Sequence, residues 1–129
     1  MLATISSGFL VATTLIVALF QVALALGAPW GAYAYGGART GKLPVGFRVN
    51  SVVAALVMVA ISGHYLAQLG VFTPLLDQAG NSVVNWVLVG FTALAAIANN
   101  ITRSKLERAA WGVPTILMFI AALFVALNL

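Results

Sequence analysis

An all-α integral membrane protein, a bundle of four transmembrane helices with both termini outside, is the fold that three features of the sequence predict. The 129 residues are 63% hydrophobic and only 6% charged, with mean hydropathy +1.10, whereas a soluble domain carries about 25% charged residues. Four long stretches are apolar and free of charge. The basic residues gather in alternate connections between those stretches. The same composition excludes a disordered chain, which would be poor in apolar residues. The lack of any cysteine excludes a disulfide scaffold and thiolate chemistry.

The helices are expected over about residues 3–27, 51–70, 82–98 and 105–128. Crossing the hydrocarbon core takes about 17–25 apolar residues, and helices satisfy every backbone group internally where no water is present. The first stretch is read as a retained helix, because a cleaved signal peptide wants a positive n-region and nothing before Arg39 is charged. Asn50 or Ser51 is placed to cap the second helix. The third stretch is the shortest. The fourth helix starts ahead of its apolar run, because Ser104-Lys105-Leu106-Glu107 spells a capping box. Pro114 removes a hydrogen bond to the Ala110 carbonyl and predicts a kink. One domain accounts for the whole chain.

Charge sets the orientation. Arg39, Lys42 and Arg48 lie between spans one and two, and Arg103, Lys105 and Arg108 lie between spans three and four. The connection between spans two and three has no cation and carries Asp77. Positive connections stay cytoplasmic, so a multi-pass protein of the bacterial inner (cytoplasmic) membrane is expected, with both basic loops inside. The agreement of all six cations argues against dual topology. Trp30 and Trp111, with Tyr33 and Tyr35, fall at the inner interface and Trp86 near the outer one, as an aromatic belt requires.

Residues 28–50 form a long connection, rich in glycine and aromatic side chains, expected to be a structured inner loop. Gly36, Gly41 and Lys42 match the spacing of a phosphate-binding loop, but Leu43 replaces the hydroxyl residue and no strand precedes it, so nucleotide binding is not expected.

Two polar groupings stand out. His64 and Gln68 share a face of helix two, and Thr13, with Thr14 beside it, and Asn85 fall at comparable depth in the outer half. Thr13, His64, Gln68 and Asn85 form a candidate outer polar pocket, or else they bond one another as interhelical glue. The second grouping is an inner-face cluster of Gln21, Trp30, Arg39, Arg48, Asn100, Glu107 and Trp111. Glu107 is the only acidic residue at that face able to pair with Arg39 or Arg48, and Arg103 lies four positions before it.

Catalytic chemistry is poorly supplied. Asp77 and Glu107 fall on opposite sides of the membrane, so no carboxylate pair exists. One histidine without cysteine does not make a metal site. No nucleophile motif surrounds the serines that could join His64 and Asp77. No enzyme activity and no cofactor are therefore expected, although a lone His64 could ligate a haem or chlorophyll-like ring. Anionic lipid headgroups are the expected partners of the basic loops. Nucleic acid is not, because the cations form no extended stripe.

Gln21 to Gly31, containing the run Gly27-Ala28-Pro29-Trp30-Gly31, is followed by Tyr35-Gly36-Gly37, Leu43-Pro44, Arg48 and Ser51, and then by Asn99 or Asn100, Ser104, Glu107, Arg108, Trp111 and Pro114. Together these residues resemble a group of small four-span bacterial membrane proteins with a Gly-Ala-Pro-Trp-Gly motif. The group has no established activity, so the resemblance implies a fold and gives no residue a role. The chain differs from the small multidrug exporters in lacking a membrane-embedded Glu in helix one. The shared motifs all fall on the inner side, so loops one and three are expected to pack together.

The leading functional expectation is a non-catalytic accessory subunit or assembly factor of a larger membrane complex, partnered by other membrane subunits or by itself. The alternatives are a small-molecule or ion carrier acting as a homo-oligomer, and a lipid- or pigment-binding membrane protein.

Overall fold

The computed structural model describes residues 1–129 and is entirely helical. Helix α1 spans Leu2–Ala25, α2 Val45–Gln68, α3 Gln78–Ile101 and α4 Lys105–Ala126. Two single turns of 3-10 helix, Gly31–Tyr33 and Tyr35–Gly37, lie in the first connection. All four long helices are long and apolar enough to cross a membrane. Their 22 to 24 residues correspond to about 33–36 Å at 1.5 Å per residue, against a hydrocarbon core of about 30 Å.

Helix ends explain where the boundaries differ from expectation. Helix α2 begins at Val45, not near residue 51, with Pro44 as its N-cap; Asn50 and Ser51 lie inside the helix and cap nothing. The charge on Arg48 does not oppose this early start, because its long side chain runs back to the last turn of α1. Helix α3 gains a polar turn at each end and matches the others in length. Asp77 caps it, accepting from the Gly80 N–H at 2.7 Å. Helices α1, α2 and α4 all stop in the same way. The amide of Ala28 reaches the Ala23 carbonyl, that of Val71 reaches Leu66 and that of Leu129 reaches Phe124. Each is a Schellman closure around a left-handed residue, namely Gly27, Gly70 and Asn128. Helix α4 continues unbroken through Pro114.

The helices alternate in direction. Helix α1 packs between α2 and α4, and α3 packs on the other side of α4; α2 and α3 make no backbone contact of similar extent. The two chain ends meet, the Ala3 amide donating to the Leu129 carbonyl at 2.6 Å. The two basic connections therefore share the opposite end.

Burial is inverted relative to a water-soluble bundle. Large apolar side chains such as Leu19, Leu56, Val87 and Leu94 point outward, as lipid requires. Small and hydroxylated residues point inward. Thr14, Thr92 and Thr115 return their hydroxyls to carbonyls one turn back, to Leu10, Leu88 and Trp111 respectively, so they are buried without an orphan donor. The core at the end holding the termini is Leu10, Tyr65, Leu88 and Met118 against Ala121, Ala122 and Val125 of α4. Small residues there let the backbones approach closely. At the opposite end a second cluster, Leu24, Ala34 and Leu43, pins the first connection to α1.

Candidate functional site

The outer polar residues come together as a threesome. Asn85, almost fully buried on α3, faces His64 and Gln68 of α2. Its amide donates to Gln68 Oε1 at 2.8 Å, and Gln68 Nε2 returns a bond to Asn85 Oδ1 at 2.9 Å. His64 Nε2 lies 2.8 Å from the same oxygen, so in this arrangement Nε2 carries the proton and donates. The 3.1 Å approach of Gln68 Nε2 to His64 Nε2 is then a contact between two donors. Thr13 does not join them. Its hydroxyl donates to the Phe9 carbonyl of its own helix at 2.9 Å. The three remaining groups satisfy one another across the α2–α3 gap, the geometry of interhelical bonding. One of the two nitrogens His64 could offer a metal or a ring is thereby engaged.

The opposite end is built by the first connection folding onto the start of α4. Gly31 is buried, and its amide donates to the Gly41 carbonyl at 2.9 Å. Tyr35 adopts φ 53°, a left-handed conformation uncommon for a non-glycine residue. Its phenol is held at the start of α2, 2.9 Å from the fully buried Ser51 Oγ and 3.0 Å from Asn50 Nδ2. Its ring stands edge-on to Phe47, with centroids 5.1 Å apart. Left-handed Gly36 then turns its amide to Glu107 Oε2 at 3.0 Å.

Glu107 and Ser104 therefore work differently from a closed capping box. Ser104 Oγ accepts from the Glu107 amide at 3.1 Å, as expected, and donates to the Ala32 carbonyl. The Glu107 carboxylate does not return to the Ser104 amide, which donates to Thr102 Oγ1 at 3.2 Å. It reaches across to the connection instead. Loops one and three do pack together, and Gly37 lies so close to Ser104 that a Cβ there would sit 2.8 Å from the Ser104 Cβ.

The expected ion pairs of Glu107 with Arg39, Arg48 or Arg103 are not formed; no basic nitrogen lies within 4.0 Å of the carboxylate. Arg48 donates through Nε to the Ala25 carbonyl at 2.9 Å, where it meets the negative end of the α1 dipole. Arg39 is exposed at the tip of the connection. The resemblance to a phosphate loop also dissolves, because no strand precedes it and the Gly36 amide already serves a carboxylate.

Above this cap lies a chamber of about 520 Å³, within the range of small-molecule sites, roughly 300–1,000 Å³. Its walls come from Val17 and Phe20 of α1, Phe91, Ala95 and Ala98 of α3, and Trp111 and Met118 of α4; α2 contributes Met58 alone. Its polar end gathers Gln21, Tyr33, Asn99, Thr102 and Glu107. Because α2 leaves the wall incomplete and the α3 residues Phe91, Ala98 and Ile101 are exposed, the chamber opens sideways at membrane depth.

Of the inner-face cluster, Gln21, Glu107 and Trp111 line this chamber. Trp30 stands behind it, parallel to Phe20 at 6.3 Å, while Trp111 tilts onto the same ring at 5.0 Å. Asn100 fastens α3 to α4, donating to the Ala96 and Gly112 carbonyls. Arg39 and Arg48 do not reach the chamber. Phe20, Phe91 and Thr102 were not foreseen, while Tyr35 and Asn99 were named only as an interface aromatic and as part of the shared motifs. Phe20 adjoins Gln21 in sequence, and that polar–aromatic pair within an apolar run is the one signal that pointed to it. Comparison of the chain with protein-family models, with curated proteins and with solved structures returns no match, so the reading of this site rests on its own geometry.

Proposed function

We propose that the protein is a small, non-catalytic integral membrane protein that holds one amphiphilic molecule in the chamber, in the cytoplasmic-leaflet half of the bundle. The basic connections lie at the cytoplasmic face and both termini lie outside, in a bacterial inner membrane; the clustering of all six cations at one end supports that orientation. The chamber carries the reading. It is apolar along most of its wall, where Thr92 and Thr115 return their hydroxyls to their own helices, it is open to the side where lipid would be, and its other polar side chains gather at the end nearest the basic connections. An apolar chain with a polar head fits that distribution. The accessory-subunit reading rests on the scarcity of reactive groups and has no surface feature of its own, because outward apolar side chains are what lipid demands of any span.

Native mass spectrometry tests this reading, using protein incubated with octadecanol and then stripped of detergent. A one-to-one adduct is expected in the natural sequence. It should vanish in Ala95→Phe, which fills the chamber, and persist in Leu56→Phe, which adds the same ring to an outward face of α2. Equal adducts in both variants would mean that the lipid binds elsewhere.

A further inference from the structure

The polar end of the chamber holds acceptor oxygens without partners. Gln21 Oε1 is buried and has no hydrogen-bond partner. Asn99 spends one amide N–H on the Ala95 carbonyl at 2.8 Å, and no protein group donates to its oxygen. Glu107 is 7% exposed, and the only protein hydrogen bond to its carboxylate is the one from Gly36. Tyr33 and Thr102 bear hydroxyls, which can turn to donate or accept. Three acceptor oxygens are thus open, one of them a carboxylate's, beside the Gln21 amide nitrogen and the Trp111 indole, which are donors.

That carboxylate is the more telling because cations are abundant nearby. All six Lys and Arg side chains lie at this end of the bundle, yet none comes within 4.0 Å of it. Buried charges in proteins are paired, since an unpaired one loses its hydration without compensation. Here the missing partner would have to enter from the chamber, where Glu107 forms part of the lining.

We infer that the chamber selects amphiphiles whose polar end is a primary ammonium, with Glu107 as its counter-ion and Gln21 Oε1 as a second acceptor. This rests on the reading of the chamber as an amphiphile site. An ammonium offers three donors and no acceptor, which complements the gathered oxygens. Two kinds of molecule share this chemistry: a free long-chain amine and a membrane aminophospholipid.

Competition experiments on the intact protein in detergent separate the possibilities. Octadecylamine and octadecanol have the same tail, and the amine should bind about tenfold tighter, the ratio expected when a charge-assisted hydrogen bond replaces a neutral one. Glu107→Gln keeps an acceptor for the Gly36 amide but removes the charge, and it should abolish that preference, so that amine and alcohol bind equally whatever their common affinity. Gln21→Leu should weaken amine binding several-fold without touching the cap, which keeps the comparison informative if the Glu107 variant folds poorly. Lysophosphatidylethanolamine against lysophosphatidylglycerol identifies the source. Preference for the former points to a membrane lipid, and octadecylamine preference without it points to a free amine. Equal binding of amine and alcohol by the natural sequence would overturn the headgroup inference and leave the chamber reading standing. Retention of both ligands by Ala95→Phe would overturn the two together.

Discussion

Replacing Gly31 by alanine should unfasten the inner cap. Gly31 has no unusual φ, so the test is purely steric. A Cβ built there would lie 2.4 Å from the Arg39 carbonyl oxygen, 2.8 Å from that of Gly41 and 2.9 Å from Leu43 Cδ2. Two of these three neighbours are backbone and cannot rotate aside. Leu43, itself only 2% exposed, is wedged against Leu24 and Ala34. Overpacking of this kind costs about 1–3 kcal/mol, and moving the Gly41 strand of the connection away also loses the Gly31–Gly41 hydrogen bond, worth about 1 kcal/mol, so a loss of ~2–4 kcal/mol is expected. Gly46→Ala is the control. It sits in the first turn of α2 with nothing within 4 Å of the added Cβ, and a helical Gly-to-Ala change stabilises by roughly 0.5–1 kcal/mol. The readouts are the denaturation midpoint in mild detergent and the rate of trypsin cleavage at Arg39 and Lys42. Gly31→Ala should lower the first and raise the second. Identical midpoints and cleavage rates for the two alanine variants would refute the packing argument.

Two further outcomes follow from the other end and from the charge pattern. Asn85→Leu leaves Gln68 and His64 facing an apolar group, so it should destabilise by about 1–3 kcal/mol, whereas Thr13→Val should be near neutral because its hydroxyl bonds only its own helix; unfolding in detergent measures both, and equal effects would contradict the separation of Thr13 from the threesome. The chain has no cysteine, so single cysteines report sidedness directly. Ser82→Cys and Asn128→Cys should react with a membrane-impermeant maleimide added outside intact cells, and Thr40→Cys only after lysis; the reverse pattern would invert the proposed orientation.

The spans were legible because lipid leaves one solution to the backbone, and hydropathy reports it directly. Ser104 as an N-cap was legible for a similar reason, since the requirement is local. The start of α2 was not. Hydropathy begins near residue 51, but the helix begins at Val45, directly after Pro44, and its charged Arg48 is accommodated by an acceptor on a different helix, at Ala25. His64 and Gln68 could be placed together from their spacing, and Asn85 from depth alone. Thr13 was grouped with them by rough depth, but it lies halfway along α1 while His64 and Gln68 lie in the last turns of α2, and its hydroxyl returns to its own helix. The partner of Glu107 was also hidden. Charge counting pointed to arginine, whereas the answer lay in a backbone amide exposed by a left-handed glycine 71 positions away.

That pairing joins the cap and the proposed ligand site into one device. The oxygen of Glu107 that receives the Gly36 amide fixes the connection, and the same carboxylate lines the chamber. Ser104 strengthens the link by bonding the Ala32 carbonyl while capping α4. Undocking the connection would take the Gly36 amide from Glu107 and open that end of the chamber, so a ligand that engages Glu107 favours the docked form. Anything that binds one state alone stabilises it by mass action, and the coupling is reciprocal. On the proposed reading, a ligand in the chamber would slow cleavage at Arg39 and Lys42, and a variant that leaves the connection largely undocked would bind it more weakly, in proportion to the docked fraction lost. The glycines and aromatics of the first connection are the means by which a surface segment holds the Glu107 carboxylate at the end of the chamber.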